Sequence, residues 1–276
     1  MTRKERVLFI SQEITPYLPE SHIGKIGRQL PQGIQERGRE IRTFMPRFGC
    51  VNERRNQLHE VIRLSGMNLI IDDNDHPLII KVASIQSARM QVYFIDNDEY
   101  FLRKFTTHDK DNKLFKDNDE RLVFFCRGVL ETVKKLNWTP DVIHCHGWMT
   151  SLIPLLIKKV YHEDPVFESA RVVYSVYNDG FKGSLDKKLS AKLRMDGMSD
   201  EDVALFADPT HAGLTGAALR YADAVVKGDG NLDPKLAELL TNFEGPLLGS
   251  HDQENYVDAY SSFYDEVLAT EGLLAD

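Results

Sequence analysis

The sequence predicts an α/β fold: a Rossmann-like parallel sheet flanked by helices, with a β-hairpin or meander insertion. Two observations carry that expectation. Short, continuous apolar runs alternate with stretches of helical apolar spacing, as in strands buried on both faces between covering helices. One stretch, residues 58 to 96, breaks the alternation with four strand-like runs and no helix between them.

The elements follow in order. Val7-Leu8-Phe9-Ile10 reads as a buried first strand, followed by a loop holding Pro16 and Pro19. Ile23, Ile26, Leu30 and Ile34 recur at helical spacing, with an end near Gly38, and Ile41 to Met45 reads as the second strand. Val61-Ile62, Leu69-Ile70-Ile71, Leu78-Ile79-Ile80 and Val92 to Ile95 are the runs of the insertion, joined by turn chemistry such as Asp72-Asp73-Asn74-Asp75. Residues 104 to 117 are polar and read as a mobile loop. Asn118 to Leu136 is an amphipathic helix, Asp141 to Cys145 a strand, Met149 to Tyr161 a mostly apolar helix, and Val172 to Val176 another strand. Ser199 and Asp202 form a capping box for a helix from Asp200. A helix from His211 to Tyr221 leads to a last strand at Ala224 to Val226. Asp233-Pro234 marks a helix start. Tyr256, Val257, Tyr260, Phe263, Tyr264, Val267 and Leu268 make a helical stripe that would dock on the domain.

Composition narrows the function. The chain has 276 residues, 42% hydrophobic and 28% charged, which suits one large domain or two small ones with a real core. A formal charge of -8 argues against general binding to nucleic acid or an anionic membrane. No apolar run approaches the roughly 20 residues of a membrane span, and the charged start leads into too few apolar residues for a signal peptide. Three widely spaced cysteines, Cys50, Cys126 and Cys145, do not suggest a disulfide framework. A cytoplasmic protein is expected.

In an open parallel sheet, ligands bind at the carboxyl ends of the strands. Ser11 to Gly27, His144 to Thr150, Tyr177 to Gly183 and the end of the strand at Val226 fall there. His144 and His146 share a strand face. A metal site lacks further ligands nearby and none is expected. A packing role would bury one histidine and leave the other at the rim, whereas a ligand-contacting role would aim an imidazole at hydroxyl or phosphate oxygens. Gly24 to Gly27 could present backbone N–H groups to an anion, with Lys25 adding charge. Glu13 could hold a ligand hydroxyl or stand solvated. No nucleophile–base pair is legible, so no catalytic residue is assigned, and no cofactor is expected.

Asp117-Asn118-Asp119-Glu120-Arg121 and Trp138-Thr139-Pro140-Asp141-Val142-Ile143-His144-Cys145-His146, followed by Trp148, Thr150 and Pro154, carry a specific resemblance. They resemble the D-N-x-E-R, P-D-V-x-H-x-H-D-W and x-T-x-x-x-P pattern of the starch/glycogen synthase catalytic domain. Glu13 with Pro16, Leu30-Pro31, Met45-Pro46-Arg47, Asn178 with Phe181 and Gly183, and Tyr221-Ala222-Asp223 are similar to further family segments. The resemblance spans about residues 5 to 226. It implies a retaining glycosyltransferase of two-Rossmann (GT-B) architecture, with residues 1–230 as its N-terminal domain and 231–276 as helices packing on that domain. The second Rossmann domain is expected to be absent. The resemblance also implies Glu13, His146, Trp148 and Asn178 on the sugar and acceptor side of a cleft.

The departures from the pattern are equally specific. The family's K-T-G-G-L-G-D loop reads Pro19-Glu20-Ser21-His22-Ile23-Gly24-Lys25. The lysine that would contact the sugar nucleotide is Pro19, and two glycines are Ser21 and His22. Proline offers no amine and no N–H, and Glu20 repels a diphosphate. Gly147 replaces the aspartate after the second histidine, Tyr177 a histidine, Lys182 a glutamine and Gly216 a lysine. The expected function is therefore a synthase-like domain of glucan metabolism that does not transfer glucose alone. It would act as a non-catalytic glucan- or sugar-phosphate-binding or regulatory subunit. The alternative is an active half, using ADP-glucose or UDP-glucose, completed by a partner chain. A different small-molecule reaction using His22 and Lys25 ranks below both. An α-glucan or a nucleotide sugar is the expected ligand. A homodimer or protein partner, or a polar replacement, is expected across the face that a second domain would cover.

Overall fold

The computed structural model describes residues 3–195, 198–250 and 255–270; residues 251–254 and 271–276 of the expected C-terminal region lie outside them. A ten-stranded mixed sheet runs through the molecule with helices on both faces. Its strands are β1 (Arg6–Ser11), β2 (Glu40–Pro46), β3 (His59–Glu60), β4 (Met67–Ile71), β5 (Asn74–Ile85), β6 (Met90–Asp96), β7 (Val142–His146), β8 (Arg171–Val176), β9 (Ala224–Lys227) and β10 (Leu247–Leu248). The spatial order is β10-β9-β8-β7-β1-β2-β6-β5-β3, with β4 paired to β5. From β10 to β6 every pairing is parallel. The order reverses around β1, so the carboxyl ends of β1 and β7 flank the crevice where such sheets take ligands.

The helices are α1 (His22–Glu36), α2 (Asp98–Phe101), α3 (Asn118–Lys135), α4 (Ile153–Leu155), α5 (Leu189–Lys192), α6 (Asp200–Ala204), α7 (His211–Tyr221), α8 (Pro234–Thr241) and α9 (Tyr256–Ala269). Their caps follow local chemistry. Ser21 caps α1 by accepting from Gly24 N, and Ser199 and Asp202 close a reciprocal capping box on α6. Asp233 accepts from Lys235 N ahead of Pro234 on α8.

Three segments differ from the pattern read in sequence. Within 231–276, expected as helices, β10 pairs parallel with β9 and extends the sheet. Residues 58–96 are not wholly an insertion, because β6 pairs parallel with β2 inside the main sheet and only β3, β4 and β5 form an antiparallel extension. Val61-Ile62 is a turn rather than a strand, with Ile62 83% exposed and nothing apolar to cover it. Residues 148–160 do not form one helix. A 3-10 turn (Trp148–Thr150), the short α4 and a π-helical turn (Leu156–Val160) succeed one another. Pro154 supplies no N–H for an i→i-4 bond, and Tyr161 N reaches back to Leu156 O at 2.9 Å to close the wider turn. Asp72 and Asp73 both adopt positive φ, the conformation that a two-residue hairpin between β4 and β5 requires.

Two apolar layers sandwich the sheet. The larger gathers α3, α7 and the buried side of β5 and β6; the smaller joins Val7, Phe9, Leu30 and Ile34 to Tyr260, Phe263, Tyr264 and Val267 of α9. Burial of each such large side chain stabilises by about 1.5–3 kcal/mol. Arg37 and Arg39 add ion pairs to Asp258 and Asp265 across the same contact. Residues 104–117 are joined to α3 through Asn118 Nδ2 to Thr107 O at 2.8 Å and Arg121 Nη2 to Thr106 O at 2.7 Å. Among the described residues, no helix is long and apolar enough to cross a membrane.

Candidate functional site

The loops after β1, β8 and β9 converge at the carboxyl rim of the sheet. Glu13, Ser21, His22 and Asn178 line one cleft of about 230 Å³ there, together with Ile23, Tyr177, Asp179 and Asp229. The structure thus brings together four residues picked from sequence. Each is already engaged. Ser21 Oγ donates to the Glu13 carboxylate while accepting from Gly24 N at 2.9 Å, so the cap of α1 also occupies Glu13. His22 Nε2 sits 3.2 Å from Gly228 O and 3.5 Å from Asp229 Oδ1. Asn178 acts as a staple: its Nδ2 donates to Asn231 O and its Oδ1 accepts from Asp233 N at 2.8 Å. Its backbone N donates to Asp229 Oδ2 at 2.7 Å.

His146 and Trp148 do not line the cleft. They lie behind it, 1% and 2% exposed. Both strand histidines are buried, so the expectation of one at the rim is corrected: Tyr177, just after β8, covers His146, and Tyr260 and Tyr264 of α9 pack on His144. His144 is satisfied on both sides, by Tyr264 Oη at 2.6 Å and Ser175 Oγ at 2.7 Å. His146 Nδ1 meets Tyr177 Oη at 2.8 Å, and His146 Nε2 is buried without a partner. Desolvation pushes the His146 pKa down to about 3 and that of His144 well below the usual imidazole range, so both rings are neutral. Tyr177 reaches this position because the chain opposite is Gly228, where a Cβ would come within 2.3 Å of the tyrosine ring.

The degenerate loop is dispersed. Pro19 is exposed, Gly24 is buried against Ser21 and Thr15, and Lys25 is exposed and paired with Glu20. Lys25, Glu20 and His22 line a neighbouring depression with Lys227, Tyr256 and Tyr260. Of these cations, Lys25 pairs with Glu20 and His22 lies near Asp229, while Lys227, with no ion pair among the described residues, lines the neighbouring depression rather than the rim cleft.

Asp179 and His211 carry weight that sequence reading missed. Asp179 Oδ2 accepts from Trp148 N at 2.8 Å, and Asp179 Oδ1 pairs with His211 Nε2 at 3.2 Å. Gln12 completes the turn by accepting from Met149 N at 3.2 Å. No local motif announces these pairings, since each joins separate segments. Beside them Phe181 packs edge-on against Trp148 at 4.9 Å and faces a larger groove of about 590 Å³ with Lys182, His211, Asn231 and Lys235.

Comparison with known proteins fits this geometry. Residues 6–232 match the family model described as the starch synthase catalytic domain. The chain is 36% identical over 261 residues to a glycogen synthase of Chlorobium limicola, covering 90% of this chain and 53% of that protein. It is 39% identical over 193 residues to a glycogen synthase of Chlorobium luteolum, covering 69% and 39%. The chain therefore spans about half the length of the curated relatives it matches. In fold it is similar to the catalytic domain of Starch Synthase IV from Arabidopsis thaliana bound to ADP and acarbose, with TM-score 0.70, 17% identity, and coverage of 90% of this chain and 51% of that one. With a motif pattern, a sheet order and a family match that agree, this chain belongs to the starch synthase catalytic domain family.

Proposed function

We propose that the chain is a non-catalytic member of this family that serves glucan metabolism by binding a glucan, as a binding or regulatory subunit. The observation that carries the reading is the closure of Tyr177 over His146, which leaves the residue 1% exposed with its Nδ1 bonded to the covering phenol. Glycosyl transfer also requires the charge developing on a leaving phosphate to be neutralised. The loop nearest the cleft presents Pro19 and Glu20, and its one lysine, Lys25, is exposed beside the Glu20 carboxylate, which offsets its charge. Binding needs less. The groove beside Phe181 offers a half-buried aromatic face with amide and ammonium groups around it, the mixture that holds a sugar ring by its apolar face and its hydroxyls.

The test is glucose incorporation from ADP-glucose and from UDP-glucose into glycogen by the purified protein, alongside calorimetric titration with a maltooligosaccharide. Oligosaccharide binding without incorporation supports the proposal; incorporation at an ordinary synthase rate sinks it. The competing reading is an active transferase half completed by a partner chain, and the 36% identity to a glycogen synthase favours it. It requires incorporation to appear when that partner is supplied. A partner or second copy across the rim belongs to the same proposal, and size-exclusion chromatography with light scattering reads it directly.

A further inference from the structure

A further cavity lies at the opposite end of the sheet, among the amino-terminal ends of β2 and β6 and the last turn of α1. It measures about 420 Å³, within the size range of small-ligand pockets. With strands rising roughly 3.3 Å per residue, the length of β2 separates it by about 20 Å from the carboxyl rim. Nothing in the proposed glucan site reaches it, and the inference does not rest on that proposal.

Its lining is unusual for a protein of net charge -8. Two arginines, Arg42 and Arg89, and three glutamines, Gln35, Gln86 and Gln91, surround it, with no carboxylate in the wall. Among the described residues neither arginine makes an ion pair. Glu40, whose charge reaches Arg42, is itself bonded to Arg6 and to the Trp138 indole. Arg42 is held in place. Its guanidinium carbon lies 5.6 Å from the Tyr93 ring centroid and 5.3 Å from that of Trp138, and Nη1 donates to Tyr93 Oη at 2.5 Å. Its Nε is buried with no acceptor among the described residues. Arg89 adopts φ +50°, a left-handed conformation that an arginine seldom takes, at the end of the Gln86–Ala88 turn. Its side chain is exposed there and, among the described residues, makes no hydrogen bond or ion pair.

A fixed guanidinium with a second one beside it suits a planar or tetrahedral oxyanion, which it can hold through paired N–H donors. The amides, each donor and acceptor at once, suit vicinal hydroxyls rather than a bare ion. We propose that this cavity binds a small polyhydroxylated phosphate ester. Arg42 and Arg89 take the phosphate, and the glutamines take the hydroxyls.

The experiment is calorimetric titration of the full chain with glucose 6-phosphate, with inorganic phosphate and with glucose. Saturable binding of the ester is expected, with phosphate weaker and glucose silent. Arg89→Asn keeps a residue that tolerates the left-handed backbone, and Arg42→Gln removes the fixed guanidinium. Each should weaken ester binding about tenfold or more, while maltooligosaccharide affinity stays within about twofold because that groove lies at the far rim. Thermal melts verify that Arg42→Gln is folded, and exposed Arg89 serves as the independent arm. Absence of saturable ester binding, unchanged ester affinity in Arg89→Asn, or phosphate binding as tightly as the ester would overturn the proposal.

Discussion

Tyr177 lies over His146 with its phenol oxygen 2.8 Å from His146 Nδ1, and the contact turns a strand-end imidazole into a core group. Gly228 makes room for the ring, and Ser175 and Tyr264 do the same inward-turning service for neighbouring His144. The rim of the sheet is therefore closed where two histidines would otherwise emerge.

The first prediction concerns acid stability. Burial lowers the folded-state pKa of His146 to about 3, below the unfolded value near 6.5. The resulting stability is present in full above about pH 6.5 and is lost as the pH falls toward 3. At pH 5 one such histidine accounts for about 2 kcal/mol. Denaturant melts of His146→Gln should show a shallower decline between pH 7 and pH 5 than the parent. Parallel curves would show that His146 is not the titrating group.

A second prediction concerns Gly147. It sits at φ +91°, and a Cβ there would come within 2.7 Å of Gln12 Cβ and 3.2 Å of Asp179 Oδ2. Gly147→Ala should destabilise by about 2 kcal/mol. Gly147→Asp should cost more, because a second carboxylate then faces Asp179. Urea unfolding midpoints measure both, and a neutral Gly147→Asp would contradict the geometry.

The third prediction places oligosaccharide binding at the Phe181 groove. Phe181→Ala removes a half-buried ring from the groove wall and should weaken maltooligosaccharide binding about tenfold, with a stability loss of only about 1 kcal/mol. Calorimetry together with a thermal melt separates the two effects. Equal affinity in parent and variant would move the glucan elsewhere.

A fourth prediction tests whether the degenerate loop alone accounts for lost chemistry. Pro19→Lys with Ser21→Gly and His22→Gly restores the charge and backbone freedom of the family loop. It should strengthen ADP-glucose binding without producing glucose incorporation, since Tyr177 still covers His146. Replacing the Ser21 cap by glycine should lower stability by only a few tenths of a kcal/mol. Incorporation by the triple variant would show the loop to be the sole lesion.

The sequence by itself determined the alternating α/β order, most element bounds and the family. Buried strands demand continuous apolar runs, covering helices demand apolar stripes, and caps such as Ser199 with Asp202 or Asp233 with Pro234 are local chemistry written in consecutive residues. Glu13, Ser21, His22 and Asn178 were also within reach, because strand ends in a parallel sheet mark the ligand rim. Only the tertiary structure decided what those groups do. The burial of His146 beneath Tyr177, the capture of Glu13 by Ser21 and the stapling of Asn178 to residues 231 and 233 each join segments far apart in the chain. The same holds for β6, whose run reads as part of an insertion until its pairing with β2 places it in the main sheet. Hydrogen-bond partners and solvent exposure depend on three-dimensional proximity, which neither periodicity nor spacing encodes.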